Sequence, residues 1–264
     1  ADLGILPRNL NIIGGIGCSG KSIAEIKSNA IHTLHGCASP VAMGAQITNP
    51  DQTTITISGD GDSWAIGAGK MIALLRSNID LLHICENNGT YGLTKGQLSP
   101  TTEEGSPNHS GRYPDQKPVD GVGVALMGGA TFVAKGFSAR RNQLVELIKA
   151  GILHDGIAYL DVMSPCVTFN DHAESKHSYD YGKDHSSDLP NFDVVDFEDE
   201  VRAEVPTRRL EARFGIPVGD ALGGEQGGLH GQLVGVGRPE ARDGLISASV
   251  RRRPPDAGLA ARQF

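Results

Sequence analysis

The sequence predicts an α/β fold, with a mainly parallel sheet that is covered by helices on both faces. Apolar strand-like segments alternate with helix-like segments in the order β-α-β-α-β, which is typical of that class. Residues 53–97 form a strand, a Gly-Asp-Gly turn, an amphipathic helix and a second apolar strand, as in a right-handed parallel crossover. A chain of 264 residues is also long enough to bury such a sheet.

The remaining elements follow from local patterns along the chain. A helix over residues 39–49 begins near Pro40, which suits a first helical turn. Residues 98–121 are polar and carry four prolines, which predicts a long loop with a functional role. The other predicted elements are strands over 11–16, 131–134 and 157–163 and helices over 22–34 and 138–150.

Beyond residue 170 the alternating pattern weakens. We therefore expect one α/β domain over residues 1–190 and a C-terminal extension over 191–264, helical only near 200–214 and disordered at its end. Residues 170–188 carry Asp171, His172, Glu174, His177 and His185, but their spacing fits no compact metal-ligand set. A solvated loop is the favoured interpretation of that segment, with a metal site as the alternative.

Charge and composition limit the partners. A net charge of −7 argues against nucleic acid or an anionic membrane as the main partner. No apolar run approaches the roughly 18 residues of a membrane helix, and no secretory leader opens the sequence, so a cytoplasmic location is expected. The four cysteines have no tight spacing, which favours thiols or metal ligands over a disulfide framework.

An acid and an amide follow the two strands of the central crossover. Asp60 ends the first strand and Asn88 follows the second, so both fall on the edge where parallel strands end and ligands bind. Oxygen ligands of this kind hold Mg²⁺ against a diphosphate. Gly59 and Gly61 would let the backbone approach that diphosphate closely. The sequence therefore predicts a magnesium-diphosphate cofactor site.

Residues 15–20 offer a competing interpretation. Gly-Ile-Gly-Cys-Ser-Gly fits G-x-G-x-x-G between a strand and a helix, which is typical of dinucleotide binding. The acid expected about 20 residues further on is missing, because His35 occupies that place. A nicotinamide or flavin site is therefore the weaker alternative.

Several motifs resemble known thiamine diphosphate enzymes. Gly-Asp-Gly followed by Asn-Asn resembles their diphosphate motif, and further stretches resemble the β subunit of 2-oxoacid:ferredoxin oxidoreductases. Those stretches read GIGCSGK (15–21), HTLHG (32–36), GDGD (59–62), NGTYGLTKGQLSPTT (88–102) and PCVTFN (165–170). Together they span roughly residues 1–185, and the YGLTKGQ run is similar to the 2-oxoglutarate or broad-specificity branch.

The resemblance implies the thiamine diphosphate-binding fold and an oxidative activity. Such enzymes use thiamine diphosphate to decarboxylate a 2-oxoacid, pass two electrons through iron–sulfur clusters to ferredoxin and transfer the acyl group to coenzyme A. Their β subunit pairs with an α-type subunit that carries the pyrimidine domain. That subunit supplies the carboxylate which activates the cofactor.

The resemblance also assigns roles to residues. It implies that Asp60, Asn88 and the backbone oxygen of Thr90 are the Mg²⁺ ligands and that Lys21 and His35 are the catalytic candidates. Cys18 and Cys166 match two of four ligands of a 4Fe–4S cluster, and Cys37 and Cys85 remain as core residues. The cofactor would be bound by Ile16, Gly17, Cys18, Ser19, His35, Gly59, Asp60, Gly61, Asp62, Asn88, Tyr91, Gly92, Leu93 and Thr94.

The sequence departs from that family in its cluster ligands. The Cys-x-x-Cys that family members carry ahead of this region does not occur in these 264 residues. The sequence could be part of a longer chain, or its cluster could be lost or be completed by another chain. Two alternative functions stay open: a non-oxidative thiamine diphosphate decarboxylase or carboligase subunit, and a non-catalytic scaffold.

Overall fold

A computed structural model describes residues 2–108 and 110–185 of the chain. Its centre is a six-stranded sheet with the strand order β2-β1-β3-β4-β8-β7. All five pairings in this sheet are parallel, as the sequence predicts. The strands are β1 (Leu10–Gly14), β2 (Asn29–His32), β3 (Thr53–Gly59), β4 (Leu81–Asn87), β7 (Phe132–Phe137) and β8 (Ile157–Met163). A separate antiparallel hairpin joins β5 (Thr90–Tyr91) to β6 (Gln97–Leu98).

Helices cover both faces of the sheet, and each face has its own apolar core. Successive strand residues point to opposite faces, so neighbouring side chains such as Ile12 and Ile13 belong to different cores. One core packs against Leu147, and the other against Leu74. The helices are α1 (Ala38–Thr48), α2 (Ala68–Ser77), α3 (Gly121–Gly128), α4 (Arg141–Leu153) and α5 (Tyr179–His185).

The predicted helix over residues 22–34 is wrong. The chain instead forms a 3₁₀ helix at Ser19–Glu25 and then the edge strand β2. All four residues of β2 are exposed, so this strand is held by its backbone pairing with β1 and has no buried side-chain pattern to reveal it. The other predicted strands and helices of the described region exist, β8 with the predicted ends and the rest with shifted ends.

The segment after residue 170 is also more ordered than predicted. Asn170, Ser175, His177 and Ser178 are buried, and α5 follows them, so this is not a solvated loop. Helix α3 was not predicted either. It begins after Asp120, whose side chain accepts the Gly123 N–H at 3.0 Å. The expected extension over 191–264 lies outside the described residues.

Candidate functional site

The predicted site residues meet at the carboxyl edge of the sheet. Because β3 and β4 are parallel and pair Gly59 with Glu86, Asp60 and Asn88 follow adjacent strand ends. The backbone amide of Asn88 acts on the Asp60 carboxyl directly, as one of the groups that lower its pKa. Asp60 and Asn88 therefore lie in contact through the backbone of Asn88, and the role of the Asn88 side-chain oxygen as a metal ligand stays a prediction.

Asp60 is buried, with 2% of its surface exposed. Its Oδ2 accepts hydrogen bonds from Ser99 Oγ at 2.5 Å and from Thr101 Oγ1 at 2.6 Å. Burial raises the pKa of the Asp60 carboxyl, and the hydroxyl and amide donors lower it in part. No ion pair involves Asp60 within the part of the chain that the structure describes. A buried carboxylate with neutral donors alone is suited to a bound cation.

Asn88 lies in a turn that other side chains hold in place. Its Oδ1 accepts the Thr90 N–H at 3.1 Å, and its backbone oxygen accepts Asn170 Nδ2 at 2.8 Å. Gly89 between them has φ +64, a conformation that favours glycine. A Cβ added there would lie 2.7 Å from His177 Nδ1, so no other residue fits this turn without rearrangement. Burial, together with the smaller effect of the charge of Lys135, lowers the pKa of His177 to about 4, so this ring is neutral near pH 7.

Asp62 connects three segments at the same edge. Its Oδ1 accepts the N–H of Ile16 at 3.2 Å and that of Gly36 at 2.7 Å, and it also contacts His35 Nδ1. Its Oδ2 accepts the Ser58 hydroxyl at 2.5 Å. The carboxylate therefore holds the turn after β1, the turn after β2 and the His35 ring together.

A π-helical turn at Asp62–Ile66 follows the Gly-Asp-Gly segment. It is closed by the Gly67 N–H, which donates to the Asp62 oxygen at 3.0 Å. Turns of this kind are frequently found at functional sites. A Cβ on Gly67 would lie 2.4 Å from that same oxygen, so the turn requires glycine there.

The glycines of the predicted motif are explained by contacts within the protein. A Cβ on Gly61 would lie 2.2 Å from Cε1 of Tyr91, and one on Gly59 would lie 2.9 Å from Ser19 Oγ. Tyr91 in turn packs edge-on against His35, with ring centroids 6.3 Å apart. The expectation that these two glycines make room for a diphosphate therefore stays a prediction, while their packing role is observed.

Cys18 and Cys166 face one another across Gly92. A Cβ on Gly92 would lie 3.2 Å from Cys166 Sγ and 3.4 Å from Cys18 Sγ, so the two sulfurs share one small space. Cys85 lies in the core as predicted, whereas Cys37, also predicted as a core residue, precedes α1 and is only half-buried. No group of three or more histidine, cysteine, aspartate or glutamate residues in the described ranges could hold a metal ion.

The other predicted residues also lie at this edge. Ile16, Gly17 and Ser19 lie in or just after the turn that follows β1, with Lys21 exposed in the 3₁₀ helix. Leu93 and Thr94 form the tip of the β5–β6 hairpin, where Thr94 Oγ1 donates to Gln97 Oε1 at 2.5 Å.

The sequence interpretation missed the roles of several polar residues. Apart from Ser58, which donates to Asp62 four positions further on, they lie 39 or more positions from Asp60 or act through backbone groups, so no local pattern reveals their contacts. The one available signal was the Ser-Pro-Thr-Thr run at 99–102, because hydroxyl residues rarely cluster in an apolar surrounding without partners. The missed residues are Gly36, Ser58, Ser99, Thr101, Thr102, Asn170 and His177.

Known proteins resemble this chain in sequence and structure. A family model described as "Thiamine pyrophosphate enzyme, C-terminal TPP binding domain" matches residues 15–162. A 2-oxoacid:ferredoxin oxidoreductase subunit beta from Sulfolobus sp is 40% identical over 225 residues, which cover 83% of this chain and 73% of that protein. The subunit beta from Saccharolobus solfataricus is 39% identical over 197 residues, which cover 74% of this chain and 64% of that protein.

A relative of the 2-oxoglutarate type and a solved structure agree with these matches. The 2-oxoglutarate synthase subunit KorB of Methanocaldococcus jannaschii is 39% identical over 169 residues, covering 64% of this chain and 63% of its own length. A 2-oxoglutarate:ferredoxin oxidoreductase from Magnetococcus marinus, solved with 2-oxoglutarate, coenzyme A and succinyl-CoA bound, superposes with a TM-score of 0.69. That match is 34% identical and covers 81% of this chain and 71% of that chain. No helix among the described residues has the length and apolar character needed to cross a membrane.

Proposed function

This chain belongs to the β-subunit family of 2-oxoacid:ferredoxin oxidoreductases, and from that premise we propose that it provides the Mg²⁺–thiamine diphosphate site of such an enzyme. The complete enzyme would convert a 2-oxoacid, of the 2-oxoglutarate or broad-specificity class, to its acyl-CoA and pass the electrons to ferredoxin. The observation that carries the proposal is the meeting of Asp60 and Asn88 at adjacent ends of parallel strands.

The residues at that meeting point fit a magnesium ion. Asp60 contributes a carboxylate, Asn88 a side-chain amide oxygen and Thr90 a backbone oxygen, and Mg²⁺ prefers oxygen ligands. The Asn88 oxygen accepts one hydrogen bond from Thr90 and keeps a second lone pair for a metal. The absence of an ion-pair partner for the buried Asp60 in the described residues is also consistent with a bound cation.

When bound, thiamine diphosphate supplies the carbanion chemistry that amino-acid side chains lack. His35 would act beside it as a group that holds or moves a proton at Nε2, because Nδ1 already contacts Asp62. Lys21 is exposed on the same edge and would offer a positive charge to the substrate carboxylate. Ile16, Gly17, Ser19, Tyr91, Leu93 and Thr94 would surround the cofactor.

The paired cysteines support half of an iron–sulfur site. Cys18 and Cys166 face one shared space, as two ligands of a cubane cluster must. Cys37 and Cys85 lie elsewhere, so this sequence supplies two of the four thiolates. We propose that the other two come from residues outside this sequence. The alternative of a non-oxidative thiamine diphosphate subunit would need no cluster at this place.

An exposed apolar rim supports the need for an α-type partner. Five large apolar side chains follow the carboxyl ends of strands around the site and are exposed by 38% to 79%. Contiguous exposed apolar surface marks protein interfaces, and we propose that these side chains pack against the α-type subunit. The members of this apolar rim are Ile16, Leu34, Ile66, Leu93 and Val167.

Calorimetric titration of the purified full chain with thiamine diphosphate, with and without Mg²⁺, tests the proposal. We expect Mg²⁺-dependent binding that Asp60→Ala abolishes while the far-ultraviolet circular dichroism is unchanged. Cofactor affinity that is unaffected by Asp60→Ala would remove the metal assignment. Analysis of iron and acid-labile sulfide separates the two candidates, since only the oxidative one requires a cluster.

A further inference from the structure

Three hydroxyl side chains connect the two halves of the proposed metal site. Ser99, Thr101 and Thr102, here termed the hydroxyl cluster, follow the β5–β6 hairpin and are buried. They reach Asp60 after β3 on one side and the residues Asn87 and Gly89 around the β4 turn on the other.

Two members of the cluster act on a single oxygen of Asp60. Ser99 Oγ and Thr101 Oγ1 both donate to Oδ2, at 2.5 and 2.6 Å. No side chain in the described ranges donates to Oδ1. Backbone N–H groups of Asp60 and Asn88 also act on this carboxyl. Oδ2 is thus committed to the two hydroxyl groups, while no side chain competes with a ligand for Oδ1.

The other contacts of the cluster fix the turn that carries Asn88 and Thr90. Thr102 Oγ1 accepts the Ser99 N–H at 2.7 Å and donates to the Gly89 oxygen at 2.8 Å. Thr101 Oγ1 lies 2.9 Å from Asn87 Oδ1, and Asn87 is anchored in turn on Asp161 at 3.3 Å. The same four-residue loop thus orients the acid and the turn together, although they are separated by 28 positions in sequence.

We propose that Ser99 and Thr101 are positioning residues for Mg²⁺: they hold Asp60 through Oδ2 so that Oδ1 is the metal ligand. Thr102 holds the Asn88–Thr90 turn at the distance from Asp60 that the shared metal ion requires. This inference rests on the proposed metal site and adds to it the residues that set its geometry before the ion binds. Groups that orient metal ligands in this way typically contribute about 10–100-fold to metal affinity.

The experiment measures the Mg²⁺ concentration that half-saturates thiamine diphosphate binding to the full chain, at a fixed cofactor concentration. The double variant Ser99→Ala/Thr101→Val removes both donors to Oδ2 with little change in volume. We expect its half-saturating Mg²⁺ concentration to rise about 10–100-fold. Thr101→Ser keeps the hydroxyl and is expected to keep the wild-type value.

A matched control separates positioning from stability. Thr56 is buried in β3, its hydroxyl contacts His83 Nδ1 at 2.5 Å, and it has no contact with Asp60 among those described. Thr56→Val therefore removes a buried hydroxyl bond of the same kind. We expect it to lower the unfolding temperature as the double variant does, and to leave the half-saturating Mg²⁺ concentration unchanged.

The outcomes distinguish this inference from the proposed function. If Asp60→Asn abolishes Mg²⁺-dependent binding but the double variant behaves as the wild type, the positioning role is overturned and the metal site stands. If Asp60→Asn itself binds as the wild type, the metal site is overturned as well. Should the double variant not fold, Ser99→Ala alone is measured in its place; a raised half-saturation supports the positioning role, and a wild-type value overturns it.

Discussion

Replacing Gly89 by alanine tests the geometry of the turn between Asn88 and Thr90. Gly89 has φ +64, and an alanine in the left-handed region costs about 1–2 kcal/mol. Its Cβ would also lie 2.7 Å from His177 Nδ1 and 2.8 Å from Asn170 Nδ2. Both of these side chains are buried, so relief of the contact requires repacking, which costs about 1–3 kcal/mol. We therefore expect Gly89→Ala to lower the free energy of unfolding by about 2–5 kcal/mol.

Gly105→Ala is the matched control for that variant. Gly105 has φ +80, and a Cβ added there meets nothing within 4 Å. It therefore carries the same backbone cost and the same change in the unfolded chain without the contact. Urea denaturation of both variants gives the difference, which isolates the contact with His177 and Asn170. A loss of stability no greater in Gly89→Ala than in Gly105→Ala would refute the packing described for this turn.

A double-variant cycle identifies the neighbour responsible. His177→Ala removes the ring that the new Cβ would contact, so Gly89→Ala should cost less in that background than in the wild type. An equal cost in both backgrounds would assign the contact to Asn170 alone.

Three further variants test other parts of the structure. Burial raises the pKa of Glu86 to about 7 from its usual 4.5. Between these pH values the folded chain holds a proton on Glu86 that the unfolded chain has lost, so the stability of the fold decreases as the pH rises from about 4.5 to 7. Glu86→Gln should remove that decline. Denaturation at pH 5 and pH 8 should therefore show that the stability of the variant relative to the wild type is greater at pH 8 than at pH 5. An equal difference in stability at both pH values would contradict the assignment. Leu74→Ala, at a fully buried position of the core beneath α2, should cost about 2–5 kcal/mol in urea denaturation, and a cost below that range would mean that the helix packs loosely. Gly20→Ala would bring a Cβ within 2.0 Å of the Gly15 backbone oxygen, so it should lower the melting temperature far more than Gly44→Ala, where a Cβ meets nothing within 4 Å; equal melting temperatures would exclude this close approach.

Much of the fold could be predicted from local pattern. Strand β8 has the predicted bounds because it is a short apolar run. Helix α1 differs from its prediction by one residue at each end, because Pro40 marks its first turn. The edge strand β2 could not be predicted in this way. Its four residues are exposed, and its partner strand lies 18 positions earlier, so its existence depends on backbone pairing.

The site could be predicted where its residues belong to short sequence motifs. Asp60 and Asn88 belong to such motifs and follow strands, so their meeting could be expected before the structure. The donors to Asp60 could not, because Ser99 and Thr101 reach it across 39 and 41 positions. The buried position of His177 was hidden for a different reason: its neighbours in sequence are polar, and its surroundings come from the turn at Gly89.

Asn170 joins two turns that are far apart in sequence. Its backbone N–H donates to the Cys166 oxygen at 2.9 Å, and its side chain donates to the Asn88 oxygen at 2.8 Å. An occupant that immobilises either turn lowers the entropic cost of ordering the other, and thermodynamic linkage makes this effect equal in both directions. Binding of a cluster at Cys18 and Cys166 and binding of the diphosphate cofactor at Asp60 and Asn88 are therefore expected to be cooperative. The side-chain amide of Asn170 is the connection between the two turns.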